Sequence, residues 1–254
     1  MPAGTGRINP ILRYYRSDRV FPSSRFGSTT EPGTSVFSEK QLKITGEHNL
    51  GAGWALRYDL RAATVSKTKT RHGTRTTATA TGLQDQAVGV VRDLTRSHSF
   101  VNALAVSIVL PTGSTTSDPQ LGVGHLAVEP NYGLGIAHRF GQHRASGSLS
   151  IGPRLFFDSG IIQWRASAGA GVMLTRSVDV FTTLFLARTV GANSTQAFTP
   201  APNASEVYNV LRGGLGVRFS LTPHVRPMVE YETDLAGQSN HAGSRLMLGV
   251  SARY

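Results

Sequence analysis

Arg57, Asp59 and Arg61 take alternate positions in the stretch GWALRYDLRAA, residues 53–63, and Trp54, Leu56, Tyr58 and Leu60 fill the places between them. In an extended chain alternate residues share a face, so this segment has one charged side and one apolar side. The same pattern recurs downstream with Glu129 and Arg139, Arg154, Arg165, then Arg212 and Arg218. It returns with Arg226, Glu230 and Glu232, and finally with Arg245 and Arg253. Guanidinium groups in excess over carboxylates can do two things when gathered on one surface. They can attract and pass anionic or polarisable solutes, or they can pair with carboxylates on neighbouring strands and rigidify a closed interior. Both readings stay open from these residues alone.

Other chemistry finds less support. The chain has eight histidines, and none stand at His-x-His or His-Glu-x-x-His spacing. With no cysteine either, neither a metal centre nor a disulfide framework is expected. His48, His98 and His224 fall in short polar turns. A lipid-cleaving barrel would bring Ser and His together on adjacent strands, and the nearest candidates are Ser97, His98 and Ser99 near Asp93, and His143 with Ser146. The glycines at Gly169 and Gly171 and the run GGLG at 213–216 open no helix, so they suit strand curvature better than a phosphate cradle. No catalytic residue and no cofactor are expected.

The elements that must position these charges are strands. Period-2 alternation runs almost throughout, and about twelve strands are expected. They are placed at Arg7–Arg16, Val36–Gly46, Gly53–Val65, Asp85–Leu94, Phe100–Leu110 and Ala127–Phe140. Six more follow at Ala145–Leu155, Ile162–Leu174, Val178–Ala187, Val207–Phe219, Val225–Thr233 and about 245–254. The first is weakened by Pro10, and Val178–Ala187 is apolar on both sides. Long connections rich in Gly, Pro and Thr are expected at 17–35, 66–84, 111–126, 188–206 and 235–244. Short ones (EHNLGAG, TRSHS, GQHR, TRSVD and LTPHV) alternate with them, and FDSG at 157–160 is short where a long one is due. Loops sorted by length to two ends suit an up-and-down membrane barrel better than a sandwich or propeller.

That layout decides which face looks outward. The apolar faces carry almost no charge over about five alternate positions, which fits the thin apolar band of a membrane barrel, with the charges lining its interior. Trp54, Phe100, Phe140, Phe219 and Tyr254 all fall at the short-turn end and would form one interfacial girdle. Only 16% of residues are charged while Gly numbers 28, and no apolar run is long enough for a spanning helix. The opening MPAGTGRINP has no apolar core of a signal peptide, so an exported protein would carry its leader outside this sequence. The net charge of +11 favours anionic partners such as lipopolysaccharide, anionic lipid or acidic solutes, unless scattered Arg only keeps surfaces solvated.

GLQDQAVGVVRDL, ALAVSIVLPTGS and PQLGVGH occur in that order, placing Gly82, Asp85, Leu110, Pro111, Thr112, Gly113, Leu121, Gly122 and Gly124 in one recurring pattern. In this the chain resembles the outer-membrane barrel family of the MetA pathway of phenol degradation, over roughly residues 35–254. The terminal aromatic likewise resembles the C-terminal signal of outer-membrane barrels. The resemblance implies a channel or transporter for small, hydrophobic or aromatic molecules and supplies no catalytic residues.

The expectation is one domain over 1–254: an all-β, single transmembrane antiparallel up-and-down barrel of about 12 strands in the outer membrane of a Gram-negative bacterium. Its partners would be outer-membrane lipid and lipopolysaccharide, a small-molecule solute and the barrel-assembly machinery, and not nucleic acid. Loops 66–84, 111–126 and 188–206 would gate it. The rivals are a barrel enzyme acting on lipid, a structural barrel with a closed lumen, and a soluble barrel that buries Leu56, Leu60, Leu248 and Val250.

Overall fold

The structure, a computed structural model, describes residues 3–22, 26–141, 143–157, 159–190, 209–238 and 240–254. Its first paired segments are β1 (Gly6–Phe21), β2 (Glu31–Gly51), β3 (Trp54–Arg71), β4 (Thr74–Leu83), β5 (Gln86–Arg96) and β6 (Phe100–Leu110). Then come β7 (Ala127–Phe140), β8 (His143–Phe156), β9 (Ile162–Met173), β10 (Val178–Val190), β11 (Asn209–Phe219), β12 (Val225–Gln238) and β13 (Asn240–Arg253). β4 and β5 both pair with β3, β4 along Ala62–Arg71 and β5 along Trp54–Asp59. They are two halves of one place in the ring, separated at Gln84 and Asp85. β13 returns to β1 with Arg253 opposite Arg7 and Arg245 opposite Tyr15. The result is a closed twelve-strand antiparallel barrel. Closure removes the free edges that hydrocarbon does not tolerate. Pro10 does not weaken the first strand: it is paired with Ile44 of β2, and the β13 ladder has no partner at Asn9 or Pro10, where proline offers no donor.

The outer face is apolar and open. Leu56 and Leu60 are 37% and 45% exposed and Leu248 is 49% exposed, while Ala55, Ala63 and Val65 on the opposite parity are buried. That excludes the soluble barrel, in which the leucines would be the core. On β3 the outward residues run Trp54, Leu56, Tyr58, Leu60, Ala62. Eight residue steps at about 3.3 Å give roughly 26 Å along a tilted strand, close to the apolar band of a membrane barrel. Above Ala62 the same face turns hydroxylic. Thr64 meets Thr81, Ser66 meets Thr79 and Thr68 meets Thr77 at 3.0, 3.0 and 2.9 Å.

This polar ladder corrects the expected loop at 66–84. The outer face of this segment is polar because it stands in water above the bilayer, yet it is a hairpin. His72 and Gly73 have φ of 50° and 79°, the two positive values a two-residue type I′ turn requires. The same correction applies at 17–35 and 235–244: β1 runs on to Phe21, β2 starts at Glu31, β12 reaches Gln238 and β13 starts at Asn240. In these segments polarity marks strands leaving the membrane, not loops. The connection at 111–126 is irregular as expected. Most of the expected loop at 188–206, and Val207 at the start of the eleventh expected strand, lie outside the described residues; GQHR and FDSG each contain one such residue.

Candidate functional site

The inward parity of β2 and β3 places Lys43 beside Asp59 and Arg61 in the lumen. Asp59 accepts from Arg61 Nε at 2.9 Å and Nη2 at 2.5 Å, and Lys43 Nζ lies 3.4 Å away. Across the wall, Glu129 of β7 accepts from Arg154 of β8 and, at 2.7 Å, from Arg165 of β9. Between the two groups, β5 and β6 contribute only small inward side chains, among them Ala87, Ala105 and Ser107. Their shortness leaves a cavity of about 300 Å³. Arg57 lines it from β3, exposed, and makes no ion pair among the described residues.

Local sequence makes room for the Glu129 group. Pro130 and Pro153 stand at facing positions, and the β7–β8 ladder has no partners between Val128–Leu155 and Tyr132–Ile151. Prolines lack the donors such a ladder needs, so the gap strands no N–H at those two positions. Gly152 packs so closely on the Pro130 carbonyl that a Cβ would not fit.

Above this tier a second network is buried. Asp234 is held by Arg245 Nη1 at 3.0 Å and Arg212 Nε at 2.9 Å, and the Gly243 N–H donates to it at 3.2 Å. Its side chain is fully buried and that of Arg245 nearly so. Arg245 also lies over the Tyr15 ring, 4.4 Å from its centre. Glu232, register partner of Arg245, instead lies 4.0 Å from Arg212, and Glu230 accepts from the Thr183 hydroxyl at 2.6 Å. Arg13 pairs with Glu39 at 2.8 Å, and at the opposite, short-turn end Arg218 pairs with Asp179 at 3.0 Å.

Toward the short-turn end the lumen widens into a cavity of about 700 Å³ lined by Arg7, Arg96 and Arg253 with Glu47 and Asp93. Arg226 lies nearby on β12, with its partner position Ser251 two residues before Arg253. Arg139, at the end of β7, donates to the Gly141 carbonyl at 3.2 Å. On the outside at this end, Trp54, Phe140, Phe219 and Tyr254 are exposed and Phe100 is half-buried. Arg92 stacks on Trp54 at 5.1 Å, an arrangement suited to a headgroup layer.

Toward the long-loop end the inward face changes character. Tyr15, Phe37, Ala63, Val65, Ala80 and Leu121 form one buried cluster. Leu121 comes from the connection at 111–126, so this segment folds into the barrel rather than over it. Asp85, at the break between β4 and β5, accepts the Gly113 N–H at 3.2 Å and the Val123 N–H at 2.8 Å. The Thr112 hydroxyl donates to the Gln84 carbonyl at 2.6 Å. These contacts latch both ends of the segment to the wall.

All fourteen charged residues singled out in the sequence share the inward parity of the register, but the structure does not gather them into one site. They divide among the mid-lumen tier (Arg57, Asp59, Arg61, Glu129, Arg154, Arg165), the buried network and its neighbours (Arg212, Glu230, Glu232, Arg245), and the short-turn end (Arg139, Arg218, Arg226, Arg253). Sequence reasoning missed Glu39, Asp179 and Asp234, and it set Lys43 on the polar face of its strand without counting it among the lumen charges. Glu39 shares the parity of Lys43, which could have found it. Asp234 fell just past the expected end of its strand. The hydrolase candidates are not assembled: Asp93 pairs with Arg96 at 2.7 Å, and His143 Nδ1 lies 3.2 Å from the Met173 carbonyl.

No protein-family model matches this sequence, and no curated protein does. Solved structures do. The COG4313 outer membrane channel from Pseudomonas putida F1 superposes with a TM-score of 0.66 at 10% identity, over 100% of this chain and 97% of that chain. The KdgM porin gives 0.54 at 9% identity over 96% and 98%. The NanC porin gives 0.52 at 10% identity over 96% and 98%. At such identities the likeness is one of fold, that of outer-membrane barrels.

Proposed function

We propose that this protein is an outer-membrane channel that passes small anionic solutes through its Arg-lined lumen. One observation carries the reading. Among the described residues, the mid-lumen cavity sets the cations Lys43, Arg57, Arg61, Arg154 and Arg165 against two carboxylates, Asp59 and Glu129, an excess of three positive charges. In a water-filled constriction such an excess raises the local anion concentration. The likeness in fold to channels and porins supports a transport role. The Gram-negative outer membrane is its proposed location, with lipid against the apolar belt and the barrel-assembly machinery as a partner during insertion. Exposed Lys69, Arg71 and Arg75 on the β3–β4 hairpin are placed to meet lipopolysaccharide phosphates.

The buried seat of Leu121 favours a second reading of the same barrel, in which this conformation is closed at the long-loop end and the segment 111–126 is its gate. Part of the phenol-pathway resemblance, Pro111-Thr112-Gly113 and the stretch PQLGVGH, lies in that segment. A hydrophobic or aromatic solute, as that resemblance implies, would meet the apolar tier of Tyr15 and Phe37 first.

The chain has no cysteine, so a single introduced thiol reports cleanly. Arg57→Cys treated with a negatively charged, membrane-impermeant thiol reagent is expected to lose anion current in a planar bilayer, and Leu56→Cys is expected to be inert. Equal behaviour of the two variants would refute the lumen assignment.

A further inference from the structure

The cations of the mid-lumen tier are not spread evenly. They form two groups, each built around one shared carboxylate: Lys43 and Arg61 on Asp59, and Arg154 and Arg165 on Glu129. In the ring, β3 and β7 are three strand spacings apart, roughly 14 Å of wall at about 4.8 Å each. The small side chains of β5 and β6 line that stretch, and Arg57 stands on its β3 side without an ion pair among the described residues. Counted over the described residues, each group carries one net positive charge and Arg57 adds a third. A compact anion such as phosphate can engage one group at a time. A short chain with a carboxylate at each end can engage both groups and draw on Arg57.

We propose that this shelf is a saturable binding site for small dicarboxylates, which deepens the anion-channel reading and rests on it. The hydroxyls of Ser107, Ser150 and Ser167 and the amide of Asn131 line the same cavity and can hydrogen-bond the body of such a solute. Ser150 and Ser167 already bond each other at 2.7 Å, so they form a preset polar patch on the β8–β9 side.

The test uses the refolded full chain in planar bilayers, with succinate, propionate and phosphate added at matched ionic strength to a chloride current. Succinate is expected to reduce the current to a plateau with rising concentration, while propionate and phosphate have at most a weak effect. Arg57→Gln and Arg165→Gln are each expected to weaken the apparent succinate affinity about tenfold. Titration calorimetry of the detergent-solubilised protein gives the same comparison where the pore is shut. Equal effects of the three anions, or succinate binding unchanged by both substitutions, would overturn the site. An anion-selective current without succinate saturation would overturn this site and leave the channel reading standing. Saturable succinate binding by a barrel whose current has no anion preference would overturn the channel reading and keep the site.

Discussion

Replacing Asp234 by Ala isolates the buried network from the rest of the lumen. Asp234 has no exposed side-chain surface, and Arg245 beside it has 1%. The carboxylate accepts from two guanidinium groups, at 2.9 and 3.0 Å, and from the Gly243 N–H at 3.2 Å. Its removal leaves Arg245 charged, buried and facing Arg212 with no counter-charge between them. Removing one partner of a buried pair costs about 3–5 kcal/mol, because the desolvation of the remaining charge is no longer offset. Glu232, 4.0 Å from Arg212, can recover part of that, so a loss of about 3 kcal/mol is expected. The assay is reversible urea unfolding in lipid vesicles. Trp54 and Trp164, the chain's two tryptophans, stand on the outer face 44% and 48% exposed, and their fluorescence shifts when they leave lipid. A loss below about 1 kcal/mol with an unchanged slope would refute the claim that this network is buried and coupled.

Three further outcomes follow. Asp85→Ala removes the carboxylate that accepts from two backbone N–H groups of the segment 111–126, and Leu121→Ser removes its apolar anchor; each is expected to raise single-channel conductance or opening probability, and unchanged currents in both would remove that segment as a gate. Leu248→Arg places a cation on the lipid face and is expected to cost about 2–4 kcal/mol in the same unfolding assay, whereas Arg57→Leu in the lumen is expected to cost less than 1. Trp54→Ala and Phe140→Ala together are expected to weaken vesicle insertion by about 2–4 kcal/mol, and normal insertion would contradict the interfacial girdle.

The barrel was legible in the sequence because alternation over a two-faced strand is a local property. Trp54, Leu56 and Leu60 against Arg57, Asp59 and Arg61 need no partner to be read. What stands above the membrane was not legible in the same way. The segment from Ser66 to Leu83 is rich in Thr, Lys and Arg, and composition alone cannot separate a solvated hairpin from a loop; the pair His72–Gly73 was the missed turn signal. β10 looked apolar on both sides for a different reason. Its inward Phe181 and Phe185 lie under guanidinium groups, Arg218 over the first at 4.8 Å and Arg165 and Arg212 over the second at 5.2 and 5.4 Å. An inward aromatic in a cation-rich lumen is compatible with charge, and sequence polarity does not record that. The inner apolar cluster was hidden too, because Leu121 reaches it from a connection more than forty residues away in sequence from Val65.

The central claim is that positive charge in excess on the inner wall selects what passes. The most direct test is the zero-current potential of the purified protein in a planar bilayer under a tenfold potassium chloride gradient. The account predicts a potential of the sign that chloride preference gives, moving toward zero in Arg57→Ser. A potential of the cation-selective sign, or one unaffected by that substitution, would contradict it.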